Sequence, residues 1–459
     1  MKTRITPLVL TLLFTVSLFA QDEGLRIFGY FQGNFHQQSD YSITFPINPL
    51  LNGGNPKNKQ SFKGYNSFLL QQANVFLQND FTGNFGEMTA FVNLQFQNSY
   101  NSKQNWGSFN LEEAWLKYSL SNAVNFKMGL LIPEFNAFNQ IKNKTPLHPY
   151  VLRPIIYEST IDEVITIEDY VPNSSFLQFY GNLELNESIR FDYSINAGNS
   201  ESGFIVNSTD GQALIVTGTD ESTFKAIGGR IGLRTEEGKI GVSATSDRDK
   251  QFDRFSTNVF DATGSAKRVE SMEYRIPRIR LGADFSYTLY GFDFQAEFVN
   301  VTYDLTDQQK NWLNTDVQNQ QNALLLTGSQ IIGIQTKIAM GTATVADLAT
   351  LSVLSNKASV QQKDVENSVT RSNGLDKLFY YANLGYNLND FIYVFANYSY
   401  IDDKGSIILA EGLDQLSGGL TIRPIDAAVV KVQVANQKTR GDLIGLDLTH
   451  FYLGLSVIF

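Results

Sequence analysis

Apolar and polar residues alternate with a period of two along most of the chain, and a helical stripe is almost absent. In residues 85–97 (FGEMTAFVNLQFQ), Met88, Ala90, Val92, Leu94 and Phe96 alternate with Glu87, Asn93, Gln95 and Gln97. In 291–300, Phe292, Phe294, Ala296 and Phe298 oppose Asp293, Gln295 and Glu297. Residues 391–400 place Ile392, Val394 and Ala396 on one face with Tyr398 and Tyr400 at its end, and 428–435 set Val430, Val432 and Val434 against Lys431 and Gln433. Successive side chains of a strand point to opposite faces, so each segment is predicted to be an amphipathic strand. The last residues, FYLGLSVIF, put Phe451, Leu453, Leu455, Val457 and Phe459 on one face and Tyr452, Gly454 and Ser456 on the other, with Ile458 the misfit. A terminus this apolar on one side must be tied to a neighbour, because chain ends otherwise fray.

The connections alternate in length. Short links at 79–84, 120–125, 185–188, 236–238, 289–291, 387–390 and 423–426 take turns with long ones near 38–65, 99–108, 134–172, 199–222, 248–274, 305–376, 403–411 and 437–446. Seven short and eight long connections imply sixteen strands. The expected fold is therefore all-β: a transmembrane antiparallel up-and-down β-barrel of about sixteen strands, with short periplasmic turns and long extracellular loops. In lipid every backbone donor and acceptor must pair within the protein, so the sheet has to close and its last strand must join its first. LRIFGYFQGNF (25–35), with Leu25, Ile27, Phe31 and Phe35 on one face, is the expected partner of the final strand. The terminal aromatic also resembles the C-terminal signal that barrel-insertion machinery reads. A sandwich or propeller would turn the apolar faces inward, but no blade repeat of about 40 to 50 residues is visible. The distance to the second strand leaves no room for the plug domain of a larger, 22-stranded receptor barrel.

Residues 1–20 read as a signal peptide, with Lys2 and Arg4 before an apolar run from Leu8 to Phe19 and Ala20 at its end. Residues 21–459 are then the barrel, and no later stretch has the roughly 18 to 20 apolar residues a spanning helix needs. The chain has 36 basic and 46 acidic residues; without Lys2 and Arg4 the balance is 34 to 46, a net of about −12, which excludes nucleic acid as a partner. There is no cysteine, hence no disulfide, thiolate metal site or cysteine nucleophile. The 34 Phe and 21 Tyr suit strands and membrane interfaces. His36, His148 and His450 are the only histidines and no catalytic or nucleotide-binding motif is present, so no enzyme activity, cofactor or resident metal is expected. His450, at the start of the last strand, is the one histidine a neighbouring serine could recruit, and the loop acids could bind calcium weakly.

The face opposite the apolar one should line water. Its basic residues are Lys117, Lys127, Arg190, Arg230, Arg234, Arg278, Arg280 and Lys431; its acids are Glu87, Glu113, Asp192, Asp284, Asp293 and Glu297. Arg230 and Arg234 share a face of one strand, and Arg278 and Arg280 of another. Segment 134–172 is the candidate constriction loop. It carries Pro146, Pro149 and Pro154, which restrict it, and Leu147, Val151, Leu152, Ile155 and Ile156, which would prefer a wall to open water. Its acids Glu134, Glu158, Asp162, Glu163, Glu168 and Asp169 outnumber Lys142, Lys144 and Arg153. The expectation is that this loop faces the basic wall across the narrowest point and sets up a transverse field; the alternative is a lid over the mouth. In the long extracellular loop, 305–376, TATVADLATLSVL has helical spacing through Val345, Leu348 and Leu351, as a folded cap or a partner-gripping surface.

Three stretches, 112–139 (EEAWLKYSLSNAVNFKMGLLIPEFNAFN), 148–158 (HPYVLRPIIYE) and 173–199, resemble porins of Bacteroidetes-type outer membranes, distantly the phosphate-selective porin group. The loop at 134–172 resembles the third loop of general porins, which folds into the barrel and narrows it. The resemblance implies a 16-stranded barrel and a homotrimer. The mixed-sign lumen and net-negative loop depart from the arginine ladder and lysine cluster of the phosphate porins, so phosphate selectivity is not carried over. The implied function is passive diffusion of small hydrophilic solutes or ions through an outer-membrane porin, with membrane lipid and the insertion machinery as partners. The rival class is a non-conducting barrel serving adhesion or a surface complex, and single-channel conductance separates the two.

Overall fold

The computed structural model describes residues 24–46, 57–83, 86–97, 108–158, 167–200, 205–207, 212–214, 224–250, 256–260, 266–270, 275–372, 374–406, 409, 411–441 and 445–459. The segment read as a signal peptide lies outside them. Sixteen strands form one closed barrel: β1 (Leu25–Gln38), β2 (Asn66–Gly83), β3 (Gly86–Gln97), β4 (Ser108–Ser121), β5 (Val124–Leu131), β6 (Ser175–Glu184), β7 (Arg190–Asn199), β8 (Lys225–Arg234), β9 (Gly238–Lys250), β10 (Arg275–Leu289), β11 (Phe292–Tyr303), β12 (Lys377–Asn387), β13 (Ile392–Asp403), β14 (Leu413–Ile425), β15 (Ala428–Thr439) and β16 (Asp447–Ile458). Each pairs with its neighbours in sequence, and the short turns fall close to where the pattern put them, except that β2 runs on through Gly83, so most of the link read at 79–84 is strand. Strand β1 runs antiparallel to β16, with Phe31 opposite Val457 and Phe35 opposite Leu453. Gly29 and Phe459 exchange two backbone hydrogen bonds of 2.8 and 2.9 Å, so the last residue is held in the seam.

The faces follow the alternation. Ile231, Val242, Leu281, Phe294, Phe298, Leu453 and Leu455 are exposed on the outside, while Arg230, Ser243, Arg280, Glu297 and Ser456 are buried inside. A continuous apolar exterior of this kind is solvated by hydrocarbon, not by water. Two register shifts add side chains to the interior. One in the β1–β2 pair lies between Gln32 and Gly33 and turns Gln71 inward, where its amide oxygen accepts from Asn34 (2.6 Å). The other, in the β3–β4 pair, lets both Glu112 and Glu113 reach the lumen: Glu112 accepts from Asn143, and Glu113 from the Trp115 indole.

The inner wall is not polar throughout. On β10 to β13, Ile276, Val299, Val301, Phe379, Tyr381, Phe395 and Ile401 are buried and form a hydrophobic core inside the barrel. The long connection between β11 and β12 is a helical hairpin, α1 (Asp307–Ala339) and α2 (Val345–Ser372). A capping box between Thr306 and Gln309 starts α1, and Gly341, at φ +69°, turns the chain. Ile331, Ile334, Leu354 and Ala358 pack between the helices. The helical spacing read at Val345 marks the start of α2, whereas α1, polar over much of its first half, was not anticipated. No helix among the described residues is long and apolar enough to cross a membrane.

Candidate solute path inside the barrel

The chain between β5 and β6 turns into the barrel and crosses it. Asn136, in the left-handed region at φ 53°, donates its N–H to Ser243 Oγ (3.0 Å) and its amide to the Phe298 carbonyl (3.2 Å). It rests on Gly282, where a Cβ would collide with its side chain. Further along, the Phe138 N–H and the Tyr157 hydroxyl both donate to the Glu297 carboxylate (2.7 and 2.9 Å). The Val151 and Leu152 N–H groups donate to Gln433 Oε1 (2.8 and 2.7 Å), and Gln433 Nε2 donates back to the Leu152 carbonyl (3.0 Å). Gln415 and Thr421 bond the carbonyls of Arg153 and Pro149. The loop is thus fastened to β9, β11, β14 and β15. Phe135, Phe138, Tyr150, Ile155, Ile156 and Tyr157, all buried, pack on the apolar inner wall.

These anchors explain why so many polar side chains point into a barrel without facing water. The Lys431 ammonium is fully buried and donates to the carbonyls of Thr145 (2.5 Å) and Tyr150 (3.3 Å) and to Gln32 Oε1 (3.1 Å). His148, also on the loop, donates from Nε2 to the Ile141 carbonyl (2.6 Å) and stacks on Phe138. Burial, then the nearby Lys431 charge, pushes its pKa down to about 3. Burial likewise holds the Tyr157 hydroxyl well above the usual range.

The charged residues named from the sequence divide into two groups. Arg278 and Arg280 point inward but lie sealed beneath the loop instead of facing open lumen. Both bond Asp247 (2.7 to 3.0 Å), and Arg278 also lies 3.6 Å from Asp169 of the loop. Lys377 bridges Asp169 (2.8 Å) and Asp403 (2.5 Å), so among the described residues three cations and three carboxylates form one largely buried network. Glu158 turns back into the loop and accepts from the Arg153 N–H (3.0 Å). Asp162 and Glu163 lie outside the described residues, as does the Glu168 side chain.

The second group lies nearer the short turns. A cavity of about 220 Å³ opens there between the loop, through Glu134 and Gln140, and the wall, through Asp192, Arg230, Arg234 and Lys239. Arg230 makes a two-pronged pair with Asp284 (2.8 and 2.6 Å), with Gly241 leaving room for its guanidinium, and Arg234 pairs with Asp192 (2.9 Å). Lys127 lies 4.7 Å from the Trp115 ring and 5.0 Å from that of Tyr180, opposite Lys117 in register. Arg190 sits at the rim, 3.7 Å from Glu184. His450 meets His36 (Nδ1 to Nε2, 2.9 Å), not a serine. Lys239, Asp247, Lys377 and Gln415 went unread in the sequence, and Gln433 was read only as part of a polar strand face, because no strand pattern says which wall residue a distant loop will reach.

No protein-family model matches the sequence, and no curated protein is similar to it. Solved structures that share its fold include two outer-membrane proteins. The outer membrane channel DcaP of Acinetobacter baumannii aligns over 96% of this chain and 99% of its own, with a TM-score of 0.52 and 10% identity. An anion-selective porin from Comamonas acidovorans aligns over 95% and 99%, with a TM-score of 0.50 and 10% identity. The chain has the closed sixteen-strand architecture of outer-membrane barrels.

Proposed function

We propose that the chain is an outer-membrane porin through which small hydrophilic solutes or ions diffuse passively. One observation carries this reading: the loop crosses the closed barrel yet leaves a charged cavity beside β6–β9, lined by Glu134 on one side and by Asp192, Arg230, Arg234 and Lys239, a net positive set, on the other. Charges of opposite sign across a narrow passage act on ions by focusing the local field. On this reading the transverse field lies between Glu134 and the lower arginines, while Arg278, Arg280 and Lys431 hold the loop in place. The function implied by likeness to Bacteroidetes-type porins fits, without phosphate selectivity. Removal of residues 1–20, recognition of Phe459 by the insertion machinery and a homotrimeric assembly belong to the same proposal. Stepwise conductance of the purified protein in planar bilayers supports it; a heat-modifiable barrel that passes neither ions nor solutes rejects it in favour of an adhesive or complex-forming barrel.

A further inference from the structure

Two of the charges that line the cavity have no direct partner. Both oxygens of Asp284 hold Arg230 (2.8 and 2.6 Å), and Asp192 takes the Nε and Nη2 of Arg234 (2.9 and 2.8 Å), so the lining arginines are compensated where they stand. Glu134 on the loop and Lys239 on β9 line the same cavity, and among the described residues neither makes a hydrogen bond or an ion pair. Both are half-buried, and the fold fixes both. Glu134 stands two residues before Asn136, which is fastened to Ser243 and to the Phe298 carbonyl. Lys239 lies opposite Arg234 in the ladder, and the half-exposed Arg234 guanidinium keeps its Nη1 beside it for a further acceptor. Lys127 and Arg230 act on Glu134 only from a distance, since Lys127 lies over the Trp115 and Tyr180 rings and Arg230 is bound to Asp284.

A charge partly withdrawn from water is stabilised by whatever opposite charge reaches it, most of all through a charge-assisted hydrogen bond. A small cation that bonds Glu134 is repelled by Lys239, and a small anion that bonds Lys239 is repelled by Glu134. A solute with an ammonium and a carboxylate on one short frame satisfies both. Charges beyond contact are screened by the water of the cavity, so Lys127 weakens this preference without cancelling it. One water takes roughly 10 to 15 Å³ of such space, and the cavity of about 220 Å³ therefore admits a solute of several heavy atoms with part of its hydration. We infer that Glu134 and Lys239, with Arg234, form a weak binding site for small zwitterions of the amino-acid class, the ammonium on Glu134 and the carboxylate on Lys239 and Arg234. The inference rests on the channel reading above and adds a substrate class to it.

The test uses full-length protein in liposomes at neutral pH and follows swelling in alanine and in lactamide, an uncharged solute of nearly the same size and shape. Reversal potentials in potassium chloride are measured in parallel. Wild-type protein should admit alanine about threefold to fivefold faster than lactamide, the range that water-exposed charge contacts supply. Glu134→Gln and Lys239→Gln should each lower that preference to less than about twofold and leave lactamide entry unchanged. Their reversal potentials should move in opposite directions, toward anions in Glu134→Gln and toward cations in Lys239→Gln, a pattern that mere loosening of the loop does not produce. Heat-modifiable migration on a gel verifies that each variant is folded. Equal entry of alanine and lactamide in the wild type, or an undiminished alanine preference in either folded variant, overturns the site while leaving the channel intact. If Glu134→Gln fails to fold, Lys239→Gln decides alone. A wild-type protein that admits neither solutes nor ions overturns the channel reading and this one together.

Discussion

Lys431 shows how a cation on the inner wall can serve a loop instead of a solute. Its ammonium has neutral acceptors only, two of them loop carbonyls, within a fully buried pocket. Lys431→Met should take a donor from the Tyr150 carbonyl, while the Thr145 carbonyl keeps the His148 N–H and Gln32 Oε1 keeps the Ser456 hydroxyl, and so weaken the seat by about 1 to 3 kcal/mol. The expected result is faster proteolysis within 134–172 and noisier conductance, with closure of the barrel unchanged. His148 adds a pH dependence. Its folded pKa, about 3, lies below the ordinary 6.5, so between those values the unseated loop binds one more proton than the seated one. The contribution is complete above pH 6.5 and is lost as pH falls toward 3, at about 1.4 kcal/mol per unit. Lys431, Arg153 and Lys144 are the charges around it. Protease sensitivity of the loop should therefore rise on acidification from pH 7 to 4, and His148→Gln should flatten that rise. The arginines separate by depth. Arg230→Gln with Arg234→Gln should shift reversal potentials toward cations, whereas Arg278→Gln with Arg280→Gln should chiefly loosen the loop and strand a buried Asp247.

At the scale of elements, the strands and turns were legible and the interior was not. Alternation reports which solvent each face of a strand meets, and that is a local property: FGEMTAFVNLQFQ and AVVKVQVA show it without reference to any partner. Closure was legible too, because an apolar final strand has no other way to pair its backbone. The course of the loop depends on contacts such as Val151 with Gln433, 282 residues apart, which no spacing rule encodes. The pairing of Arg230 with Asp284 joins strands two apart around the wall, so reading Arg230 alone overstated the free positive charge. Segment 134–172 did show its apolar content: Val151, Leu152, Ile155 and Ile156 are buried against the inner wall, whereas Leu147 stays exposed. In the helical hairpin, α1 hid behind its polar first half. Because Ile331, Ile334, Leu354 and Ala358 form a core of their own, replacing residues 319–363 with a short glycine-serine link should leave barrel heat-modifiability and conductance unchanged. Loss of both would instead tie the hairpin to barrel folding.

On the scale of the whole molecule, the apolar belt, the closed seam and the filled lumen form one arrangement. The belt requires lipid, lipid requires a sheet without edges, and the enclosed space admits a loop that narrows what can pass. Four polar anchors, Ser243, Glu297, Gln415 and Gln433, keep that loop from reaching solvent as an ordinary surface connection. A charged cavity among the described residues lies beside β6–β9, and the function proposed here depends on it. The most direct test is single-channel recording in planar bilayers from protein first shown to be heat-modifiable. Discrete conductance steps, with a reversal potential that moves toward cations in the Arg230→Gln and Arg234→Gln double variant, are the predicted result. A folded barrel that stays electrically silent, or whose selectivity ignores those two arginines, would contradict the account.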